Sequence, residues 1–496
     1  MKNKTKLLSL LLIMSFANPL MFGCSPKTPS ARAVTTQPIA TPIPTTAIIA
    51  PADAPFDVNS DVPTGKTFTL PNLISAGMVL QRDMQIKIWG QCQTDGAVAA
   101  IINGTAYFGE CKSGKFEIMA GPIAAGGPYD ITIRNATEKK VIPSVLFGDV
   151  YLCGGQSNMR ITIGEIDSSL AAKYENTNVK YLCVAQAYSE TELDTCSGNW
   201  VSGSKANILG LSTVAVIYGS TLQKKYNIPI GIITSSVGGT FAAAWLPKEE
   251  AELCKPIPYV SHTTYPGYTS EPSYFFNAMI YPLKEVKFKG VLWYQGEGQA
   301  EKYDVLLKNV IGGWRRTFNN EDLPFIIIQL PIFKYEFPGA WATVREAQAL
   351  VGRTTKNVTY TVNIDHGDAN NLHPLDKEPV GIRAAQAAMS LIYGESGILK
   401  GPTYKSFSVS GDSIIIELEN IGTGLKLIFD GKSFEICGAD NKYYDAIATI
   451  DGNKIILKSA NVPAPKNAQY CYSDCPTASL FNNEGFPCEP FRTQTY

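Results

Sequence analysis

Apolar and polar positions change rhythm twice along this chain. Over residues 65–146, short alternating runs such as "MQIKIWG", "AVAAIING" and "YDITIRN" are separated by Gly, Asp and Asn. A period of two bounded by turn residues predicts antiparallel strands and a small β-sandwich. Over residues 147–395, continuous apolar runs take over: "VLFGDVYLC", "IPIGIIT", "FKGVLWY", "LPFIIIQL" and "VTYTVNI". Runs of this kind suit strands buried on both faces of a parallel sheet. Between them Tyr303, Leu306, Leu307, Val310, Ile311 and Trp314 recur at three-and-four spacing, as do Val214, Ile217, Tyr218 and Leu222. Amphipathic helices therefore alternate with the strands, the pattern of an α/β fold. Residues 396–496 return to alternation in "DSIIIELEN" and "LKLIF", with a hairpin signal at Asp451-Gly452, which predicts a β-rich C-terminal region.

The N-terminal part has a different composition. In residues 1–24, Lys2, Lys4 and Lys6 precede the apolar stretch Leu7 to Leu12, and Gly23-Cys24 closes it, as in an export signal. Ser15, Asn18 and Pro19 interrupt the stretch, short of the roughly 20 apolar residues a membrane-spanning helix needs. Gly23-Cys24 is similar to a bacterial lipoprotein processing site, which predicts an exported, extracellular or cell-surface protein tethered through lipidated Cys24. Residues 25–64 are rich in Pro, Thr and Ala and predict a linker.

Charge and cysteines narrow the function classes. Lys+Arg 43 against Asp+Glu 44 gives a net charge of -1 with no basic block, which argues against a nucleic-acid partner. Eleven cysteines leave ten once Cys24 carries lipid, an even number that suits an oxidising compartment. The close pairs Cys92/Cys111, Cys183/Cys196 and Cys471/Cys475 are the expected bridges, and Cys153 reads as a small apolar filler. No CxxC pair or neighbouring histidine supplies a zinc ligand set.

An open parallel sheet binds ligands beyond the carboxyl ends of its strands. The segments just after the strands here read "GGQSNM", "SSVGGT", "QGEG" and "DHGDANNLHP". Together they offer a nucleophile (Ser157), flexible backbone donors (Gly238, Gly239), a side-chain amide donor (Gln295) and a general base (His373). Acyl transfer needs a base to take the serine proton and donors aimed at the oxyanion. Singly, each has a structural explanation: a helix cap, a turn, a buried hydrogen-bond partner, a packed loop residue. Four such loops at four strand ends favour a site.

These segments, with "GVLWYQGE", "WRRTF", "REAQ", "HPLDKEPVGIR", "NNEGFPCEPFRT" and the earlier "MVLQRDMQIKIWG", resemble the sialate O-acetylesterase family of SGNH hydrolases from about residue 68 to the end. The resemblance implies a flavodoxin-like parallel sheet with flanking helices, Ser157 as nucleophile, and His373 as base. It also implies an oxyanion hole from the backbone N–H groups of Ser157 and Gly238-Gly239 with the Gln295 amide. The implied substrate is an O-acetylated sugar, with no cofactor and no metal. Relatives commonly read SGQSNME, where this chain has Gly154 and Arg160 at the first and last positions; Gly298-Gln299 replace Ser-Asn after QGE. An acidic residue often precedes the histidine by two or three places, where Asn370 and Asn371 stand here. Either Asp365 or Asp368 orients His373, or the pair works as a Ser-His dyad. The expected activity is a sialate O-acetylesterase-like carbohydrate O-acetylesterase working through an acyl-enzyme. The alternatives are an acetylxylan or other hemicellulose acetylesterase and a non-catalytic surface carbohydrate-binding protein.

Overall fold

The alternating runs fold as β1 (Val79–Gln81), β2 (Ile86–Gln91), β3 (Gly96–Ile102), β4 (Thr105–Lys112), β5 (Lys115–Ala120), β6 (Gly126–Arg134) and β7 (Lys139–Gly155) in a computed structural model. The structure describes residues 50–494 apart from 52, 256, 258–270, 300, 430 and 431. The order β7-β6-β3-β4-β5-β2 makes an antiparallel sheet wrapped on its own core, which includes Phe68, Ile88, Phe116, Ile131 and Phe147. Alternation in the sequence becomes alternation of burial along β5, where Phe116, Ile118 and Ala120 point inward.

The 17-residue strand β7 belongs to both parts of the molecule. Its first half pairs antiparallel with β6. Its second half, from Asp149 to Gly155, pairs in parallel with two later strands. Every residue from Val145 to Gly155 is buried, as the continuous apolar run requires. Asp149, the charged exception, is matched by Arg82, Gln81 and the Tyr393 hydroxyl.

The remaining strands of this layer are β8 (Asn176–Cys183), β9 (Trp200–Gly203), β10 (Ile230–Ser236), β11 (Gly290–Tyr294), β12 (Phe325–Ile328) and β13 (Val358–Thr361). The parallel order β10-β7-β11-β12-β13 reads 2-1-3-4-5 when counted along the chain, the flavodoxin-like order, with β8 and β9 added beyond β10. Helices Thr213–Tyr226, Tyr303–Thr317, Ala340–Thr354 and Glu378–Leu391 contribute to the core of this layer. The chain moves first to one side of β7 and then to the other, so β7 is the topological switch point. The crevice beyond its carboxyl end is where such a sheet binds ligands.

Residues beyond Gly401 form small antiparallel sheets, one of them built from Thr403–Ser410, Ser413–Glu419, Lys454–Lys458 and Ile447–Asp451. Their core takes in Ile364, in the loop just after β13. No described helix is long and apolar enough to cross a membrane.

Two expectations need correction. Composition assigns residues 25–64 to a linker, yet the last part of this stretch packs on the antiparallel sheet. Val58 is buried against Ala99 and Ala106, and Arg134 donates to the carbonyls of Val58 and Ser60. Three large apolar side chains, Phe56, Val58 and Val62, are enough to dock it. Among the cysteines, Cys92 and Cys111 are bridged. Cys183, Cys196, Cys471 and Cys475 are free thiols, as are Cys153, Cys254, Cys437 and Cys488. Closeness in sequence does not bring two Cβ atoms to bonding geometry; Cys92 and Cys111 reach it with Cα atoms 6.3 Å apart. Cys24 and the rest of residues 1–24 lie outside the described residues.

Candidate active site

β7 ends in Gly154-Gly155 because nothing larger fits. A side chain at Gly154 would run into Trp314 and Trp293, and one at Gly155, whose φ is 139°, would collide with the Tyr294 carbonyl. The backbone then turns into the one-turn helix Ser157–Arg160, with Ser157 at its first position and half-buried. An N–H at that position has no partner inside the helix.

Beyond β10, the Val237-Gly238-Gly239 turn lies against this serine. A Cβ on Gly238 would stand 3.3 Å from Ser157 Cβ, and Gly239 takes a φ of 72°, a conformation glycine adopts without strain. Among the described residues, nothing accepts a hydrogen bond from the N–H groups of Ser157, Gly238 or Gly239.

The loop after β13 returns to the same place. His373 Nε2 lies 2.8 Å from Ser157 Oγ, and the His373 N–H donates to Asn371 Oδ1. Burial lowers the His373 pKa below the ordinary imidazole value. Glu297 and Glu165 pull it back up, and the Lys377 ammonium adds to the lowering. The ring is therefore neutral at neutral pH, the form that can accept a proton.

A buried polar network surrounds the pair. Asn158 Nδ2 donates to Glu297 Oε1 at 2.6 Å and to the carbonyl of Leu372, the residue before His373. The Gln156 amide donates to the other oxygen of the Glu297 carboxylate. Lys377 Nζ donates to Asn158 Oδ1 and sits over the Tyr294 ring. Glu297 thus grips both neighbours of Ser157, while Asn158 joins the serine's turn to the histidine's loop. Burial pulls the Lys377 pKa down to about 8, against the opposing pull of Glu297 and Asp376. The sequence motifs assign no role to Asn158 or Lys377. A lysine in "LDKEP" reads as a solvated surface charge, and only the fold takes it inside.

Other expected residues are placed elsewhere. Gln295 is fully buried: its oxygen accepts from the Tyr303 hydroxyl at 2.7 Å and its nitrogen donates to the Thr240 carbonyl at 3.3 Å. Its amide is thus held between Tyr303 and Thr240, the residue after Gly239, which differs from the expected open oxyanion donor. Asp365 accepts from the two terminal guanidinium nitrogens of Arg383, at 2.6 and 2.7 Å, and Asp368 accepts from the Asn370 N–H in a local turn. Neither carboxylate hydrogen-bonds His373, because Arg383, reaching from helix Glu378–Leu391, takes the first and the loop backbone the second. Among the described residues, the Nδ1 atom of His373 has no hydrogen-bond acceptor. His366 bonds Asp376 through Nδ1 at 2.6 Å, and His262 lies outside the described residues.

Residues 147–389 match the family model described as carbohydrate esterase, sialic acid-specific acetylesterase. Sialate O-acetylesterases from Homo sapiens and Pongo abelii are each 28% identical over 442 residues, covering 78% of this chain and 83% of the relative. A solved structure of a carbohydrate acetylesterase from Xanthomonas citri is 30% identical, with a TM-score of 0.80, covering 86% of this chain and 100% of the other.

Proposed function

Because this chain belongs to the sialate O-acetylesterase family and is a carbohydrate O-acetylesterase, we propose that it hydrolyses acetyl esters on sialic acid hydroxyls through a Ser157-His373 dyad. The observation that carries this reading is the 2.8 Å approach of His373 Nε2 to Ser157 Oγ, beside three open backbone N–H groups. Ser157 Oγ attacks the acetyl carbonyl carbon while its proton passes to His373 Nε2. The N–H groups of Ser157 and the Gly238-Gly239 turn receive the oxyanion. As the C–O bond to the sugar breaks, His373 returns the proton to the leaving hydroxyl oxygen. Water, deprotonated by the same ring, then attacks the acetyl-serine carbonyl, the Oγ–C bond breaks, and His373 returns the proton to Ser157 Oγ as acetate leaves.

The Glu297-Asn158 clamp supports this reading, because acyl transfer depends on keeping nucleophile and base in register. We also propose that the protein is exported and carries lipid on Cys24, a reading that rests on the pattern of residues 1–24.

The test compares acetate release from O-acetylated sialic acid and from acetylated xylan by the wild type and by Ser157→Ala. Release from sialic acid that Ser157→Ala abolishes is expected. Preference for xylan would move the enzyme to the hemicellulose esterases, and full activity in Ser157→Ala would remove the dyad. Mass spectrometry of the mature N-terminus tests the anchor, which fails if the chain begins elsewhere or Cys24 carries no lipid.

A further inference from the structure

Nothing in the mechanism above uses Arg160. It is the last residue of the one-turn helix that Ser157 opens. Residues three apart share a helix face with Cβ atoms about 5–6 Å apart, so Arg160 leaves the backbone on the side of the nucleophile. The helix stops there: Ile161 turns to φ -49°, ψ 128°, and no further turn covers the arginine. Asn158 and Met159, between the two, are buried, whereas Arg160 is exposed. The helix therefore presents a nucleophile and a cation to the same opening.

The guanidinium makes no direct bond to the described residues, and its charge acts at a distance on Glu165, whose pKa it helps lower. Among the described residues Arg160 forms no salt bridge and donates no side-chain hydrogen bond. Glu165, five residues on, is already taken, since its carboxylate accepts from the Thr162 N–H and hydroxyl at 2.8 Å each in a capping box. The other charges near the pair, Glu297 and Lys377, belong to the buried network. Arg160 thus remains an exposed, planar five-donor fork on the same one-turn helix as Ser157, a shape that matches a carboxylate with two parallel hydrogen bonds.

We propose that Arg160 is a specificity-determining residue that binds the carboxylate of an acetylated sugar acid while Ser157 attacks its acetyl ester. This rests on the esterase reading above and assigns the residue that recognises the carboxylate of its substrate. A neutral acetylated sugar offers the fork no anion.

The experiment measures kcat/KM of the wild type, Arg160→Ala and Arg160→Lys on O-acetylated sialic acid and on the neutral 4-nitrophenyl acetate. The quantity read is the ratio of the two values. Arg160→Ala should lower the ratio about 10- to 100-fold, the range of a charge-assisted hydrogen bond, mostly through KM for the acid. Arg160→Lys should recover part of it, as a point charge without the fork. Added salt should erode the wild-type ratio more than that of Arg160→Ala. A ratio unchanged in Arg160→Ala, including equal loss on both substrates, overturns the proposal. A wild type inactive on 4-nitrophenyl acetate would instead overturn the esterase reading beneath it.

Discussion

Asp365 shows how a single side chain's partner decides its role. A carboxylate just past a sheet strand, eight residues before the histidine, is a reasonable orienting acid on sequence grounds. In the fold, Arg383 holds it in a two-bonded pair. Asp365→Asn should therefore leave kcat for an aryl acetate within about tenfold, far from the roughly 10⁴-fold loss of a triad carboxylate; a loss of that size would restore it as the acid. Gln295 invites the converse test. Gln295→Ala strips hydrogen bonds from the Tyr303 hydroxyl and the Thr240 carbonyl, so thermal or urea unfolding should show a loss of about 1–3 kcal/mol. A variant of wild-type stability whose kcat fell roughly 100-fold would put the amide back at the oxyanion.

Among elements, the decisive junction is where the loop after β13 meets helix Glu378–Leu391. Lys377 stands at the N-cap position of that helix and reaches across to Asn158, tying the end of one connection to the start of another. Its ammonium also bears on His373. A nearby cation disfavours imidazolium, so Lys377 lowers the His373 pKa, and removing the cation must raise it. The acid limb of kcat/KM against pH is expected below the ordinary imidazole pKa of about 6.5 in the wild type, since His373 works unprotonated. In Lys377→Met that limb should move to higher pH, and kcat at neutral pH should fall about 10- to 100-fold as Asn158 loses its anchor. A drop in kcat with an unmoved limb would leave Lys377 a structural role alone.

At the scale of the whole molecule, β7 runs without a break through the antiparallel and the parallel sheets. The packing that rigidifies one therefore supports the strand that carries Ser157. The bridge Cys92–Cys111 lies in the antiparallel part and closes a loop with a sequence separation of 19. Opening it should cost roughly 3 kcal/mol of stability. Thiol titration of the denatured, unreduced protein should find the eight free cysteines of the described residues reactive. A count lower by two or four would return Cys183/Cys196 or Cys471/Cys475 to the bridges.

What the amino-acid sequence determines by itself is what depends on neighbours along the chain. Alternation separates the antiparallel part from the parallel sheet, since burial on one face or on both writes itself into successive residues. The position of Ser157 after a buried strand, and of His373 in a loop after another, follows from the same local pattern with the family resemblance added. Only the tertiary structure decides the pairings between distant segments. Asn158 meets Lys377 across 219 residues and Glu297 across 139, Gln295 turns inward to Tyr303, and Arg383 takes Asp365 from the histidine. The reason is physical: a polar side chain's partner, burial and charge are set by what folding brings within about 3 Å of it, and no period in the chain encodes that distance.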